Sequence, residues 1–247
     1  MTVLLMRLAG PLQAWGSAAR FARRSTENAP TKSGVLGLLA AAEGRPREAD
    51  LSDLAALRFG VRTDQPGSRL RDFHTAHHAD SGKSMPLSER FYLADAVFVA
   101  GVEGKSALLW RLYEALRAPR FLPYLGRRSC PPSAPIEMGP PLENTTLEDA
   151  LRTAEWQAAR WYQRRVTHAA GSSSSSPGPE SLDVLVDSPP GELPHLSLRD
   201  TPVSFDPRHR QYGLRGVRTD HIPLPPPRRR RSAPEPHDPT LTLRPLD

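Results

Sequence analysis

The chain has 247 residues, enough for one large domain or two small ones with a proper core. Its 27 prolines and 17 glycines predict many connections, and its single cysteine, Cys130, excludes an internal disulfide framework and a cysteine-built zinc site. Of the net charge of +6, residues 207–231 alone supply +7, so overall basicity says little about nucleic acid and local clusters say more.

The apolar stretch at the start is cut by Arg7, Gly10 and Pro11, which predicts neither a signal peptide nor a membrane span and a cytoplasmic protein. Residues 3–8 read as a strand, 9–16 as a glycine-proline break, and the following loop carries Arg20, Arg23 and Arg24. Pro30-Thr31-Lys32-Ser33-Gly34 reads as a helix start leading into an apolar helix. The unpaired backbone N–H groups of such an end, with a lysine and hydroxyls in the first turn, suit an anion. Thr31 and Ser33 serve as caps in this reading, with a phosphate contact by Lys32 beside it.

Residues 51–57 predict a short amphipathic turn and 59–63 a second strand, ended by the turn signal Asp64-Gln65-Pro66-Gly67. Residues 68–93 are polar and have little to bury, which predicts a projecting hairpin. Residues 93–102 regain strand character, and 105–118 place Leu108, Leu109, Leu112 and Leu116 at helical spacing. This succession fits the βαββαβ ferredoxin-like plan, with its fourth strand unassigned. Residues 119–135 form a proline-bounded loop that is aromatic and basic. A helix is expected over 147–159, a strand over 161–166, a flexible serine-rich loop over 170–180, and short strands over 182–186 and 211–217. From residue 219 to 247 a proline- and arginine-rich tail is expected to be disordered.

Few patterns carry catalytic chemistry. A phosphate-cradling P-loop needs glycines where this chain has Thr26 and Thr31, so ATP binding is excluded. His74, His77 and His78 lack the glutamate and spacing of a metal motif, and no metal or other cofactor is expected. Cys130 follows two arginines but has no base or resolving cysteine, so a packing role is favoured. Trp15 reads as a core plug, whereas Tyr124 beside Arg127 and Arg128 suits base stacking.

Four segments then carry a family likeness: residues 8–16 (Leu-Ala-Gly-Pro-Leu-Gln-Ala-Trp-Gly), 30–39, 71–75 (Arg71-Asp72-Phe73-His74-Thr75) and 119–131. In this order they resemble the CasD subunits of type I-E CRISPR surveillance complexes (Cascade), across most of 3–136 with a weaker echo over 199–217. The resemblance implies a repeat-associated mysterious protein (RAMP): an α+β chain with an RRM-like, ferredoxin-like palm, a projecting thumb hairpin and a smaller β-rich C-terminal part. On that basis 1–135 is the palm interrupted by the 68–93 thumb, 136–218 the C-terminal part, and 219–247 the tail.

The implied role is non-catalytic: capping the 5′ handle of the CRISPR RNA and joining the large subunit to the backbone filament, with target DNA met through the complex and no membrane contact. Arg90 falls at the thumb position that touches RNA. Residues expected at the RNA are Arg20, Arg23, Arg24, Lys32, Ser33, Arg71, His74, Arg90, Arg120, Tyr124, Gly126, Arg127, Arg128, Ser129 and Cys130. Loss of Arg127 and Arg128 is expected to weaken assembly and spare the fold. Two other functions stay open: a metal-independent endoribonuclease using His74, Lys32 and Tyr124, and a structural adaptor whose arginines meet acidic partners.

Overall fold

The computed structural model describes residues 1–16, 23–171, 181–189, 191–206 and 208–224. In chain order the elements are β1 (Thr2–Ala9), β2 (Leu12–Gln13), β3 (Arg23–Arg24), α1 (Lys32–Ala42), α2 (Ser52–Ala55), β4 (Arg58–Gln65), β5 (Ser68–His74), β6 (Ser88–Ala94), β7 (Val97–Gly104), α3 (Ser106–Arg117), β8 (Leu142–Glu143), α4 (Leu147–Thr153), α5 (Arg160–Gly171), β9 (Ser181–Asp187), β10 (Leu196–Ser204) and β11 (Gln211–Pro223).

Seven strands form one antiparallel sheet in the order β10-β11-β9-β4-β7-β1-β8. Its central strands β1, β4 and β7 are buried on both faces. Leu4, Met6, Leu8, Phe59, Phe98 and Val102 pack toward α1 and α3 in one cluster, and Val3, Leu5, Val99, Val184 and Val186 pack toward α4 in another. This explains why β1 and β7 read as continuous apolar runs rather than alternating ones.

A smaller sheet stands beside the first. β5 pairs along one edge of β6, and the two-residue strands β2 and β3 pair along its other edge. The hairpin expected over 68–93 is therefore present as β5 and β6. The single strand expected over 93–102 is two: the chain breaks at Asp95, whose φ of 56° is left-handed, so Leu93 and Ala94 belong to the small sheet and Val97 onward to the large one. The unassigned fourth strand is β8, two residues long and paired with β1.

Four points need correction. The helix expected over 147–159 ends at Thr153, because Ala154 turns extended (ψ 136°). Residues 161–166 are helical, because Tyr162, Gln163 and Val166 are buried together at a spacing of one turn. The strand expected to stop at 217 runs on to Pro223, five residues into the expected tail, since these residues complete the pairing of β9 and bury Ile222. β10 lacked clean alternation and was not foreseen; it forms the sheet edge. The serine run 172–176 and the tail beyond 224 lie outside the described residues.

One buried ion pair fixes α4 against β4. Arg62, fully buried, donates from Nε and Nη2 to the Asp64 carboxylate at 2.7 and 3.0 Å. Its remaining N–H groups bind the carbonyls of Leu151, Ala154 and Glu155, which capture the end of α4. Arg62→Leu would strand a buried carboxylate and these carbonyls. It should cost about 3–5 kcal/mol, read as a thermal midpoint lowered by roughly 10 °C in calorimetry; a change within a degree or two refutes this role.

Candidate nucleic-acid interface

α1 begins where the sequence expects. Thr31 is extended (ψ 149°) and its hydroxyl accepts from the Gly34 N–H at 3.3 Å. The anion at this helix end is the protein's own, however. The Lys32 N–H donates to Asp200 at 2.8 Å, and Lys32 Nζ donates to Asp187 at 3.0 Å, with Lys32 only 5% exposed. Arg215 closes the network, donating to both oxygens of Asp200 at 2.8 and 2.7 Å and to Asp187 at 2.7 Å. Burial works against the Arg215 charge, and Asp200 and Asp187 more than offset it, raising its pKa above the ordinary arginine value. Lys32 is thus removed from the expected RNA contacts: its ammonium is spent inside the fold.

Beside this end of α1 lies an open cleft of about 540 Å³. Its lining includes Arg24, Arg127 and Arg210, Thr31 and Ser33, Gly126, the Trp15 region and Tyr212, and among the described residues contains no carboxylate. Trp15 is the buried floor: its indole N–H donates to Gln13 at 3.0 Å, and a β-carbon at Gly34 would come within 2.8 Å of its ring. Gly126 has a φ of +83° and lies so close to the Ala14 carbonyl that a side chain would collide with it.

Arg127 does two jobs. Its guanidinium lines the cleft, and it also donates to the carbonyls of Phe91 (3.1 Å) and Arg24 (2.9 Å) and stacks on Tyr92 at 4.7 Å from the ring centre. Losing it would therefore loosen β3 and β6, which corrects the expectation that the Arg127 and Arg128 pair can be removed without touching the fold. Arg128 and Ser129 are exposed next to it, and Tyr124 is half-buried.

Cross-strand partners share a face of a sheet, which sorts the small sheet. Arg24 pairs with Arg90, and Arg90 with Asp72. These residues, with His74 and Tyr92, form the face that holds Arg127. Arg23, Glu89, Phe91, Arg71 and Phe73 form the opposite face, where Arg23 stacks on Phe91 at 5.4 Å and Arg71 on Phe73 at 4.7 Å. The neighbours Arg71 and His74 therefore point to different faces. His74 is held by Asp72, Arg71 by Glu89, and Arg90 Nε is buried without a hydrogen-bond partner among the described residues.

Two further expected residues are corrected. Arg120 sits at the other end of α1, its N–H bonded to the Ala42 carbonyl and its side chain lying over Gly44. Cys130 is fully buried, and its backbone closes the loop through Leu125 and Arg127. Burial pushes its thiol pKa up, partly countered by Ser129 and Arg127. Arg20 lies outside the described residues. Arg210, from the β10–β11 turn, and Tyr212, at the start of β11, were missed, although the run Arg208-His209-Arg210-Gln211-Tyr212 is itself a basic and aromatic signal.

Among the described residues no helix is long and apolar enough to cross a membrane. The described residues contain no cluster of His, Cys, Asp or Glu arranged for a metal; His77 and His78 lie toward the hairpin tip, where His77 Nδ1 meets the Gly82 carbonyl at 3.2 Å.

The fold is antiparallel α+β, and its cleft, with three arginines and, among the described residues, no carboxylate, has the charge to suit an anion. The chain belongs to the family described as CRISPR-associated protein (Cas_Cas5), whose model matches residues 3–218. It is 38% identical over 157 residues to the CRISPR system Cascade subunit CasD of Escherichia coli (strain K12), covering 55% of this chain and 70% of that one. A solved structure described as "Crystal structure of Cas protein" superposes with a TM-score of 0.66 at 38% identity, over 90% of this chain and 95% of its own. A second, described as "CRISPR RNA-guided surveillance complex", gives 0.66 at 30% identity over 91% of both chains. The resemblance read from the sequence segments is thus to the family whose model matches residues 3–218.

Two outcomes follow from the geometry. Lys32→Met should lower stability by about 1.5–3 kcal/mol, measured by denaturant unfolding, and leave the RNA affinity of the folded protein unchanged; a selective loss of affinity would return Lys32 to the interface. Cys130 should resist iodoacetamide in the folded protein and react on denaturation, as followed by mass spectrometry, whereas rapid native labelling contradicts its burial.

Proposed function

We propose that this chain is a non-catalytic, RNA-binding subunit of a type I-E CRISPR surveillance complex that caps the 5′ handle of the CRISPR RNA and links the large subunit to the backbone filament. The observation that carries the reading is the cleft: three arginines, hydroxyl groups, Tyr212 and a left-handed glycine around one opening with no carboxylate. A single strand with splayed bases needs phosphate contacts, base-edge donors and stacking surfaces together, and this arrangement supplies them. The relatives named for Cascade and for an RNA-guided surveillance complex support the same assignment.

The strand order β8-β1-β7-β4 with α1 and α3 on one face supports an RRM-like, ferredoxin-like palm, and the β5–β6 hairpin supports a thumb. In this reading Arg24, Arg90 and His74 share the thumb face that adjoins the cleft, and Arg128, Ser129 and Tyr124 flank it. The division into a palm over 1–135, a C-terminal part over 136–218 and a tail belongs to the same proposal, with β9 joining the C-terminal part to the palm sheet. Strand cleavage by Lys32, His74 and Tyr124 is disfavoured because Lys32 is buried and engaged with Asp187.

Co-expression with the neighbouring subunits and a repeat-spacer RNA tests the role. The Arg24→Ala, Arg210→Ala double variant should reduce handle-RNA retention about 100- to 10,000-fold, from charge-assisted bonds of roughly 1.5–3 kcal/mol each, with the melting temperature unchanged. Sequencing the 5′ end of the co-purified RNA should give one uniform repeat-derived handle crosslinked to this subunit. Retention at the wild-type level, or RNA cutting by the isolated chain in EDTA, would sink the proposal.

A further inference from the structure

α5 carries a surface that the cleft does not use. Its described sequence begins Arg160-Trp161-Tyr162-Gln163-Arg164-Arg165-Val166-Thr167 and contains no carboxylate. Tyr162, Gln163 and Val166 face inward, with Tyr162 and Val166 packed in a cluster with Trp156, Ala158 and Leu182. At 3.6 residues per turn, Arg160, Trp161, Arg164 and Arg165 then share one exposed stripe about 140° wide.

Trp161 is 48% exposed. The Arg165 guanidinium lies 5.1 Å from its ring centre and 5.0 Å from that of Tyr162, and the two rings meet edge to face at 5.7 Å. The indole is held in place while remaining open to solvent. Leu182 shares its side of β9 with Val184 and Val186, which places α5 on the α4 face of the large sheet, whereas the cleft lies beside α1 on the other. The helix is anchored where the hairpin springs from β4: the Ala159 N–H donates to Gln65 and the Gln157 N–H to Asp64.

We propose that this stripe of α5 is a second nucleic-acid surface, separate from the cleft, that takes a single strand by arginine–phosphate contacts and by stacking an unpaired base on Trp161. Charge complementarity selects a polyanion, and the fixed, open indole selects one with free base faces, which a duplex keeps inside its own stack. Stacking and phosphate contacts ignore the 2′-hydroxyl, so RNA and DNA single strands bind alike. An acidic protein would satisfy the arginines but has no base to place on Trp161. The surface stands whether or not the cleft holds the RNA handle.

The test uses the full chain with Arg24→Ala and Arg210→Ala, so that the cleft is disarmed, titrated into labelled oligo-uridine, oligo-thymidine and a duplex by fluorescence anisotropy. This protein should still bind both single strands. Adding Trp161→Ala should weaken both about 5- to 100-fold, Trp161→Phe should recover most of the loss, and duplex binding should barely move. The exposed position of Trp161 predicts an unchanged melting temperature. Absence of single-strand binding in the cleft variant, equal affinities with and without Trp161→Ala, or an effect on oligo-uridine alone overturns the proposal. So does unchanged oligonucleotide affinity accompanied by loss of an RNase-resistant protein partner. Failure of the handle reading is seen separately, as wild-type handle retention by the cleft variant.

Discussion

Two carboxylates and two cations are buried between the start of α1 and the last three strands, and the placement of the cleft depends on them. Asp187 accepts from Lys32, Arg215 and the Phe59 backbone; Asp200 accepts from the Lys32 backbone and twice from Arg215. Removing four charges from water is costly, and such a group is stable only when each member is fully hydrogen-bonded to its counterpart. Here the charges balance and every carboxylate oxygen has a partner. The network makes the end of α1, β4, β9, β10 and β11 one unit, so Ser33 and Tyr212, far apart in sequence, line the same cleft.

This arrangement also settles the charge of the opening. A helix N-terminus attracts an anion, and Asp200 fills that place permanently. The exposed positive charge of the cleft comes instead from arginines on three separate segments, Arg24, Arg127 and Arg210. Arg127 ties two of the neighbouring elements together by their carbonyls, so one side chain both lines the cleft and joins β3 to β6 within the small sheet.

Much of this was legible in the sequence. The Thr31 cap, the helices over 32–42 and 106–117, the β5–β6 hairpin and the buried Trp15 follow from local patterns that tertiary contacts did not override. What escaped depended on distant partners. Nothing near Lys32 in sequence announces that Asp187 will neutralise it, and Arg120 shares a basic loop with Arg127 yet folds to the other end of α1. The period of α5 was obscured because Arg164 and Arg165 interrupt its apolar positions, and two-residue strands such as β3 and β8 have no period to detect.

The order of the strands bears on how the chain acquires its structure during synthesis. β9 lies between β4 and β11, so the edge of β4 waits for residues made more than a hundred positions later. Until then Lys32 has neither of its carboxylate partners, and β4 offers an unpaired row of N–H and C=O groups, the kind of template on which chains aggregate. A polypeptide released before β9 would carry β1, β4, β7, α1 and α3 and still lack the acids that pair with Lys32. Quality control of this protein is therefore concentrated in its final third, and early termination should yield insoluble material rather than a smaller working subunit.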